Sequence, residues 1–385
     1  MARQAVIFAN VGTSIIGNFI RRAPSDEVDE LSANLDDVND QITDAHELEA
    51  SGHDTPGAVL VDPLVEWARK EGSSASAELN STLKIVDDLG TNEKPVIIHL
   101  FATDTVDGMV SARAVRTVLE ATFTTSSISV HRVGGLQVDD GSTFTRFGLP
   151  TYVEEIYKWL RRSPPASFRR IFNPTGGFKS VVPYLTLIAM LEGAETRYIY
   201  ERSEDLLELR PLPISFDESL IERALPVLDA TVANGSAERR FIEQELDLSE
   251  PLYRSRFASL WTRIDGEDYI VSGLGEILRQ RSAERTDPVY LSSKARQDLD
   301  SLDPDKRGDL LQGLLRLRSP DLRSSSQHGR YRTEKSDCAC LGRQKHPYRI
   351  HFVEYRGDAD IEVRVVRLFH ISDHDERDRV LDSTG

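Results

Sequence analysis

Two stretches of this chain carry the residue types that hold an anion. In Asn173-Pro174-Thr175-Gly176-Gly177-Phe178-Lys179, two adjacent glycines and a lysine lie between a strand pattern at Phe168–Phe172 and an apolar run over Val181–Glu192. Paired glycines let backbone amides approach a ligand with no Cβ in the way. A helix beginning near Ser180 aims free N–H groups and a positive dipole end at the same spot. Lys179 adds a charge, and Thr175 and Asn173 add neutral hydrogen-bonding groups. The second stretch, Asn10-Val11-Gly12-Thr13-Ser14, follows the apolar strand pattern Ala5–Ala9. Gly12 permits close approach there, and the Thr13 and Ser14 hydroxyls serve as ligands or as a helix cap. The first stretch has the spacing of neither a P-loop nor a dinucleotide fingerprint. The competing reading of the first is a tight turn with an incidental lysine.

The elements that must position these loops alternate. Strand patterns at Ala5–Ala9, Pro95–Ala102, Ile128–Val133, Phe168–Phe172 and Arg197–Tyr200 are separated by helical patterns over Asp62–Lys70, Ala75–Leu89, Gly108–Ala121, Thr151–Arg161 and Val181–Glu192. Such alternation predicts a doubly wound α/β domain. Ligands bind there at the carboxyl ends of strands, near the switch in strand order. Asn10–Ser14, Thr103-Asp104-Thr105, Gly134–Gln137 and Asn173–Lys179 all occupy such ends. This makes Asn10, Gly12, Thr13, Ser14, Thr103, Asp104, Gln137, Asn173, Thr175, Gly176, Gly177, Phe178 and Lys179 the ligand-binding candidates. His99 falls inside a strand and reads as packed.

The chain has 385 residues and a net charge of −16, enough for two or three domains. From Asp287 to Gly385 there are 18 basic and 18 acidic residues, so the negative charge lies entirely in residues 1–286. Within the neutral tail, Arg316–Arg349 holds nine basic and three acidic residues. An acidic body with one concentrated basic segment points to a localised polyanion site and against a general nucleic-acid coat. Asp26–Asp54 has eleven acidic residues and no Lys or Arg; without ligand-loop spacing it reads as a solvated helix and loop, and no metal site is expected. Cys338 and Cys340 are too close together for an ordinary disulfide framework and too few for a structural zinc site by themselves. No apolar run approaches the ~20 residues of a membrane span, and a cytoplasmic location is expected.

Leu209–Ile214 reads as a linker or edge strand. Helices over Asp217–Ala233 and Ala237–Leu246 follow, then a hairpin turning at Asp265-Gly266 and a helix capped by Ser272. These make residues 215–286 a helical, winged-helix-like middle without basic bias. From residue 287 a strand at Val289–Leu291 precedes a helical hairpin over Lys294–Leu302 and Pro304–Leu317. The basic segment follows, and strands at Tyr348–Tyr355 and Ile361–Ile371 complete an α+β tail.

Residues 1–214, carrying Asn10–Ser14 after the first strand and Asn173–Lys179 after a late one, resemble the CARF domain (CRISPR-associated Rossmann fold). The resemblance implies a homodimer binding a cyclic oligoadenylate, most often cyclic tetra-adenylate, across its two-fold axis, with no other cofactor. Residues 287–385 resemble the RelE/ParE toxin fold. Arg349 falls where RelE-type ribonucleases place a catalytic arginine. The stretch His370–Arg377 falls where they place another basic group, although here it offers His374 and Arg377. The upstream basic strand has no clear register, so Arg332, Lys335, Arg343 and Lys345 stay candidates. The whole resembles the CARF–RelE fusions, CRISPR-Cas-associated messenger RNA interferases of type III antiviral defence.

That resemblance implies an endoribonuclease that cuts mRNA on the ribosome when its activator binds. Metal-free RNA cleavage needs a base for the attacking 2′-oxygen, an acid for the leaving oxygen and cations on the phosphorane. Arginine forks suit phosphate oxygens, histidine exchanges protons near neutrality, and Tyr331, Tyr348 and Tyr355 can stack on bases. Arg364 and Arg367 read as solvating a strand face, and His351 reads as pointing opposite Arg349. Two other functions fit parts of the chain. One is a ligand-responsive DNA-binding regulator using the middle segment. The other is a ring nuclease in which Thr13, Ser14 and Lys179 help degrade the ligand.

Overall fold

The computed structural model describes residues 3–41, 56–90, 95–137, 141–200, 205–212, 218–246, 257–283, 289–302, 306, 310, 313–314, 317–318, 323, 327–332, 337–342, 348–356 and 361–370. The chain forms two compact units. The first comprises Met1–Phe216, Ala258–Ile264 and Ile270–Ile277; the second comprises Asp217–Phe257, Asp265–Tyr269 and Leu278–Gly385. Residues 215–286, expected as a separate middle, are thus divided between the two.

The first unit is built on β1 (Gln4–Val11), whose seven residues after Gln4 are all buried. A strand buried along nearly its whole length suits a sheet covered on both faces. In chain order there follow α1 (Ser14–Arg22), α2 (Ser25–Gln41), α3 (Pro56–Glu71), α4 (Ala77–Asp88), β2 (Ile97–Ala102), α5 (Val106–Thr122) and β3 (Ser127–Arg132). Then come α6 (Leu149–Arg162), β4 (Phe168–Asn173), α7 (Val182–Leu191), β5 (Glu195–Ile199) and β6 (Leu206–Leu209). The strand order is β3-β2-β1-β4-β5-β6. The first five strands are parallel, and β6 closes the edge antiparallel to β5. Side chains alternate across β1: Ala5, Ile7, Ala9 and Val11 join the core that includes residues of α1–α5, and Val6 and Phe8 join that of α6 and α7. The order reverses between β1 and β4, so the crevice that doubly wound sheets use for ligands opens there.

His99 is packed, as its place in a strand suggests. Its Nδ1 lies 3.0 Å from Nε2 of His131, and its ring lies 5.5 Å from Phe8 and 4.5 Å from Trp159. Burial, followed by the charges of His131 and Arg162, lowers the His99 pKa to about 3. Burial, followed by Lys158, lowers that of His131 to about 4. Both rings are therefore neutral in the folded chain and take up protons on unfolding below pH 6.5. Their stability contribution is intact above pH 6.5 and is lost as pH falls toward 4. The expected slope reaches ~2.7 kcal/mol per pH unit, two protons at ~1.4 kcal/mol each. Urea unfolding at pH 7 and pH 5 checks this, and equal stability at the two would contradict it.

In the middle of the chain lie α8 (Glu218–Asn234), β7 (Ala237–Glu238), α9 (Arg239–Glu245), β8 (Trp261–Arg263), β9 (Asp268–Val271) and α10 (Gly273–Ala283). The helix expected from Ala237 starts at Arg239, because Ala237 and Glu238 pair as a strand with Tyr269 and Asp268. Gly266 takes a positive φ of 54° in the expected Asp-Gly turn, and the Ser272 hydroxyl accepts from Gly275 N–H at 3.1 Å as the cap of α10.

The tail contains β10 (Val289–Leu291), α11 (Ser293–Asp300), β11 (Gln327–Arg332), β12 (Asp337–Leu341), β13 (Tyr348–Arg356) and β14 (Ile361–His370). Its five strands run β10-β14-β13-β12-β11. Only β10, which is parallel to β14, breaks the antiparallel pattern. Ala295 and Leu299 of α11 and the helical residues Leu310, Leu314 and Leu317 pack with Tyr348, Ile350, Phe352, Val363, Val365 and Leu368. The concentrated basic segment supplies the β11–β12 pair, with Arg332 opposite Asp337. Arg367 does more than solvate a strand face: its guanidinium forks onto the Asp298 carboxylate at 2.7 and 2.9 Å, tying β14 to α11. Arg364 is exposed and lies over the Tyr355 ring at 5.4 Å.

Candidate functional site

The loops after β1 and β4 meet at the switch in strand order, and a carboxylate from a third element joins them. Glu78 sits in the first turn of α4, whose N-cap Ser76 hydroxyl accepts from Leu79 N–H at 3.0 Å. It is 1% exposed. Its Oε1 accepts from Gly12 N–H at 2.9 Å and from Gly177 N–H at 3.3 Å, and its Oε2 accepts from the Ser14 hydroxyl. Ser14 Oγ in turn accepts from Ala77 N–H at 3.2 Å. The glycines are required by contact. A Cβ on Gly176 would overlap the Glu78 side chain. Gly177 has φ +86°, and a Cβ there would lie 2.5 Å from Cβ of Asn10. The amides of Gly12 and Gly177, read from sequence as an anion nest, are thus engaged by the chain's own carboxylate. Glu78 was missed because it lies 66 and 99 residues from these partners, inside an amphipathic helix pattern.

A second carboxylate does the same for the neighbouring pair of strands. Asp104, after β2, accepts from Arg132 at 2.6 Å and from Gly135 N–H at 2.7 Å, and Gln137 Nε2 approaches the Asp104 carbonyl at 3.4 Å. Asp104 therefore braces the β2 and β3 ends. Thr103 is buried with its hydroxyl 3.0 Å from that of Thr105, which caps α5 through Gly108 N–H.

Three more expected ligand groups face inward. Asn10 is buried and accepts from the Tyr152 hydroxyl at 2.7 Å, while its Nδ2 has no hydrogen-bond partner among the described residues. The Asn173 amide donates to Ser81 Oγ at 2.8 Å and accepts from Thr175 N–H at 3.2 Å. The Thr175 hydroxyl accepts from Ile199 N–H at 3.0 Å. These side chains tie strand ends to α4, α6 and β5. Thr13, Lys179 and Ser180 are exposed around the same loops, and half-buried Phe178 meets Phe144 edge to face at 5.2 Å. A 3-10 turn over Lys179–Val181 precedes α7, so the helix starts at Val182, two residues later than expected.

In the tail, Arg349 lies on β13, the central strand, and is 5% exposed. Its guanidinium donates to the Tyr348 carbonyl at 2.8 Å. His351, expected to point away from Arg349, is two residues along the same strand, where side chains share a face; it too is buried. Arg332 ends the edge strand β11. Lys335, Arg343, Lys345, His374 and Arg377 lie outside the described residues.

Among the described residues there is no group of three or more His, Cys, Asp or Glu placed to hold a metal ion. No helix among them is long and apolar enough to cross a membrane. A cavity of about 320 Å³ between α2 and α3 is lined by Glu27, Glu30, Asp62 and Glu66 with Trp67 and Lys70, a lining that repels a polyanion.

No curated protein matches the chain. Residues 73–212, from the turn before α4 to just beyond β6, match a protein family described as CRISPR-associated protein (Cas_APE2256). The stretch of the first unit that contains Glu78, Asp104 and the Asn173–Lys179 loop is therefore similar to a CRISPR-associated family.

Proposed function

We propose that this chain is a cyclic-oligoadenylate-activated endoribonuclease of CRISPR defence, with a CARF-like first unit and a RelE-like tail acting as a homodimer. One observation carries the reading. The two glycine loops meet at the strand-order switch of a parallel sheet, and the later loop, with Glu78, lies in the stretch similar to a CRISPR-associated family. A cyclic, phosphate-rich ligand with two-fold symmetry suits two copies of such a loop pair facing one axis. The tail adds a helix-backed, largely antiparallel sheet whose concentrated basic segment supplies two strands. In this reading the 2′-hydroxyl of mRNA attacks the adjacent phosphate without a metal, and arginine stabilises the charge that develops. Ribosome-presented mRNA is the substrate.

Calorimetric titration of cyclic tri-, tetra- and hexa-adenylate into the full chain tests the sensing half. One ring size should bind with one ring per dimer, and absence of binding to any of them would remove this reading. Lys179→Ala should weaken that binding at least tenfold and leave the melting temperature unchanged. Lys179 is exposed beside the loop, where a charge-assisted contact to phosphate contributes ~1.5–3 kcal/mol. Unchanged affinity would move the ligand away from this loop.

A further inference from the structure

We propose that Glu78 is the positioning residue of the ligand loops. It is a carboxylate built into the chain that fills the anion nest and directs the ligand's phosphates to the groups outside it. This rests on the proposed nucleotide site. Glu78 is the shared acceptor of donors from two loops that are remote in sequence, Gly12 and Ser14 on one side and Gly177 on the other. It reaches them from a capped helix whose next residue, Leu79, is fully buried, so its backbone is held in place. Gly176 has no room for a side chain because the carboxylate occupies that space.

Two consequences follow. First, the loops are shaped before any ligand arrives, which reduces the ordering cost of binding. Second, a phosphate cannot take the Gly12 and Gly177 amides without expelling a buried carboxylate, and the two anions repel. The ligand's phosphates are therefore read by the rim: the Thr13 and Ser180 hydroxyls and Lys179, all exposed around the nest. The same carboxylate disfavours free phosphate monoesters, which carry more charge than a diester and depend more on backbone amides.

The test uses the full chain with Glu78→Ala and Glu78→Gln, read by amide hydrogen exchange at Gly12 and Gly177 and by affinity for cyclic tetra-adenylate. Alanine should speed exchange at both loops and weaken binding, each at least tenfold. Glutamine should restore both: its carbonyl oxygen can accept from Gly12 and Gly177, and its NH2 can donate to Ser14 Oγ. A residue that matters only for core packing would not discriminate between the two loop amides and the rest of the unit. If the alanine chain fails to fold, Glu78→Asp, one methylene too short to span both loops, should show the same loosening. Unchanged exchange in the alanine chain, or a glutamine chain as weak as the alanine one, would overturn the proposal. Loosened loops together with no binding of any cyclic oligoadenylate by the wild type would support the latch and refute the ligand reading.

Discussion

Gly177→Val should abolish binding of the cyclic oligoadenylate and destabilise the first unit by ~3 kcal/mol or more. Two effects add. Gly177 sits at φ +86°, a conformation that costs a β-branched residue roughly 1–3 kcal/mol. Its Cβ would also lie 2.5 Å from Cβ of Asn10 and 3.3 Å from the backbone nitrogen of Val11. Those atoms end the central strand and cannot yield without moving the β1 loop, and overpacking of this kind costs ~1–3 kcal/mol. The displacement also breaks the Gly177 N–H bond to Glu78. Differential scanning calorimetry and ligand titration of the full chain check the prediction. Wild-type melting and affinity would show that the described loop conformation is not the one that matters.

Arg349→Ala should lower the rate of RNA cleavage about a hundredfold while cyclic oligoadenylate affinity stays normal. Loss of one donor to a developing negative charge commonly costs ~3 kcal/mol of barrier. Arg349 is buried and bonded to the Tyr348 carbonyl, so truncation should also lower the melting temperature of the tail. Arg349→Lys separates the two effects. It keeps a charge and most of the aliphatic stem but loses the planar fork, so it should recover stability without recovering cleavage. Equal recovery of both would assign Arg349 to packing. Retained cleavage in the alanine chain would move the catalytic role to Arg332, Lys335, Arg343, Lys345, His374 or Arg377.

Much of the first unit was legible in the sequence because β1 and β2 are short, largely apolar runs and most strands, β4 with its Arg169 and Arg170 included, are closed by a polar or glycine-rich turn. β1, β2 and β4 read directly from this, and the loops fall where parallel strands end. The loop chemistry was less legible. Gly12 and Gly177 were recognised as amides without a Cβ, but their partner is Glu78, and nothing local marks one glutamate of a helix as the acceptor for two distant turns. Asp104 was singled out as a ligand group, whereas its carboxylate is engaged by Arg132 and Gly135. Asn173 and Thr175 likewise carry polar atoms whose partners, on α4 and β5, become visible only in three dimensions. In the tail, β13 and β14 announced themselves by alternation. The β11–β12 pair did not, because its charged and small residues set no clear apolar face. His351 shares the face of Arg349, because side chains two residues apart on a strand point the same way.

The most direct test of the account is the rate of RNA cleavage by the full chain, with and without each cyclic oligoadenylate, in the presence and absence of translating ribosomes. Cleavage should appear only with one ring size, be strongest on ribosome-bound mRNA, leave a 2′,3′-cyclic phosphate and persist in EDTA in the ribosome-free arm. Ligand-independent cleavage would contradict gating by the first unit. No cleavage under any condition, accompanied by ligand breakdown or a shift of duplex DNA, would contradict the ribonuclease assignment itself.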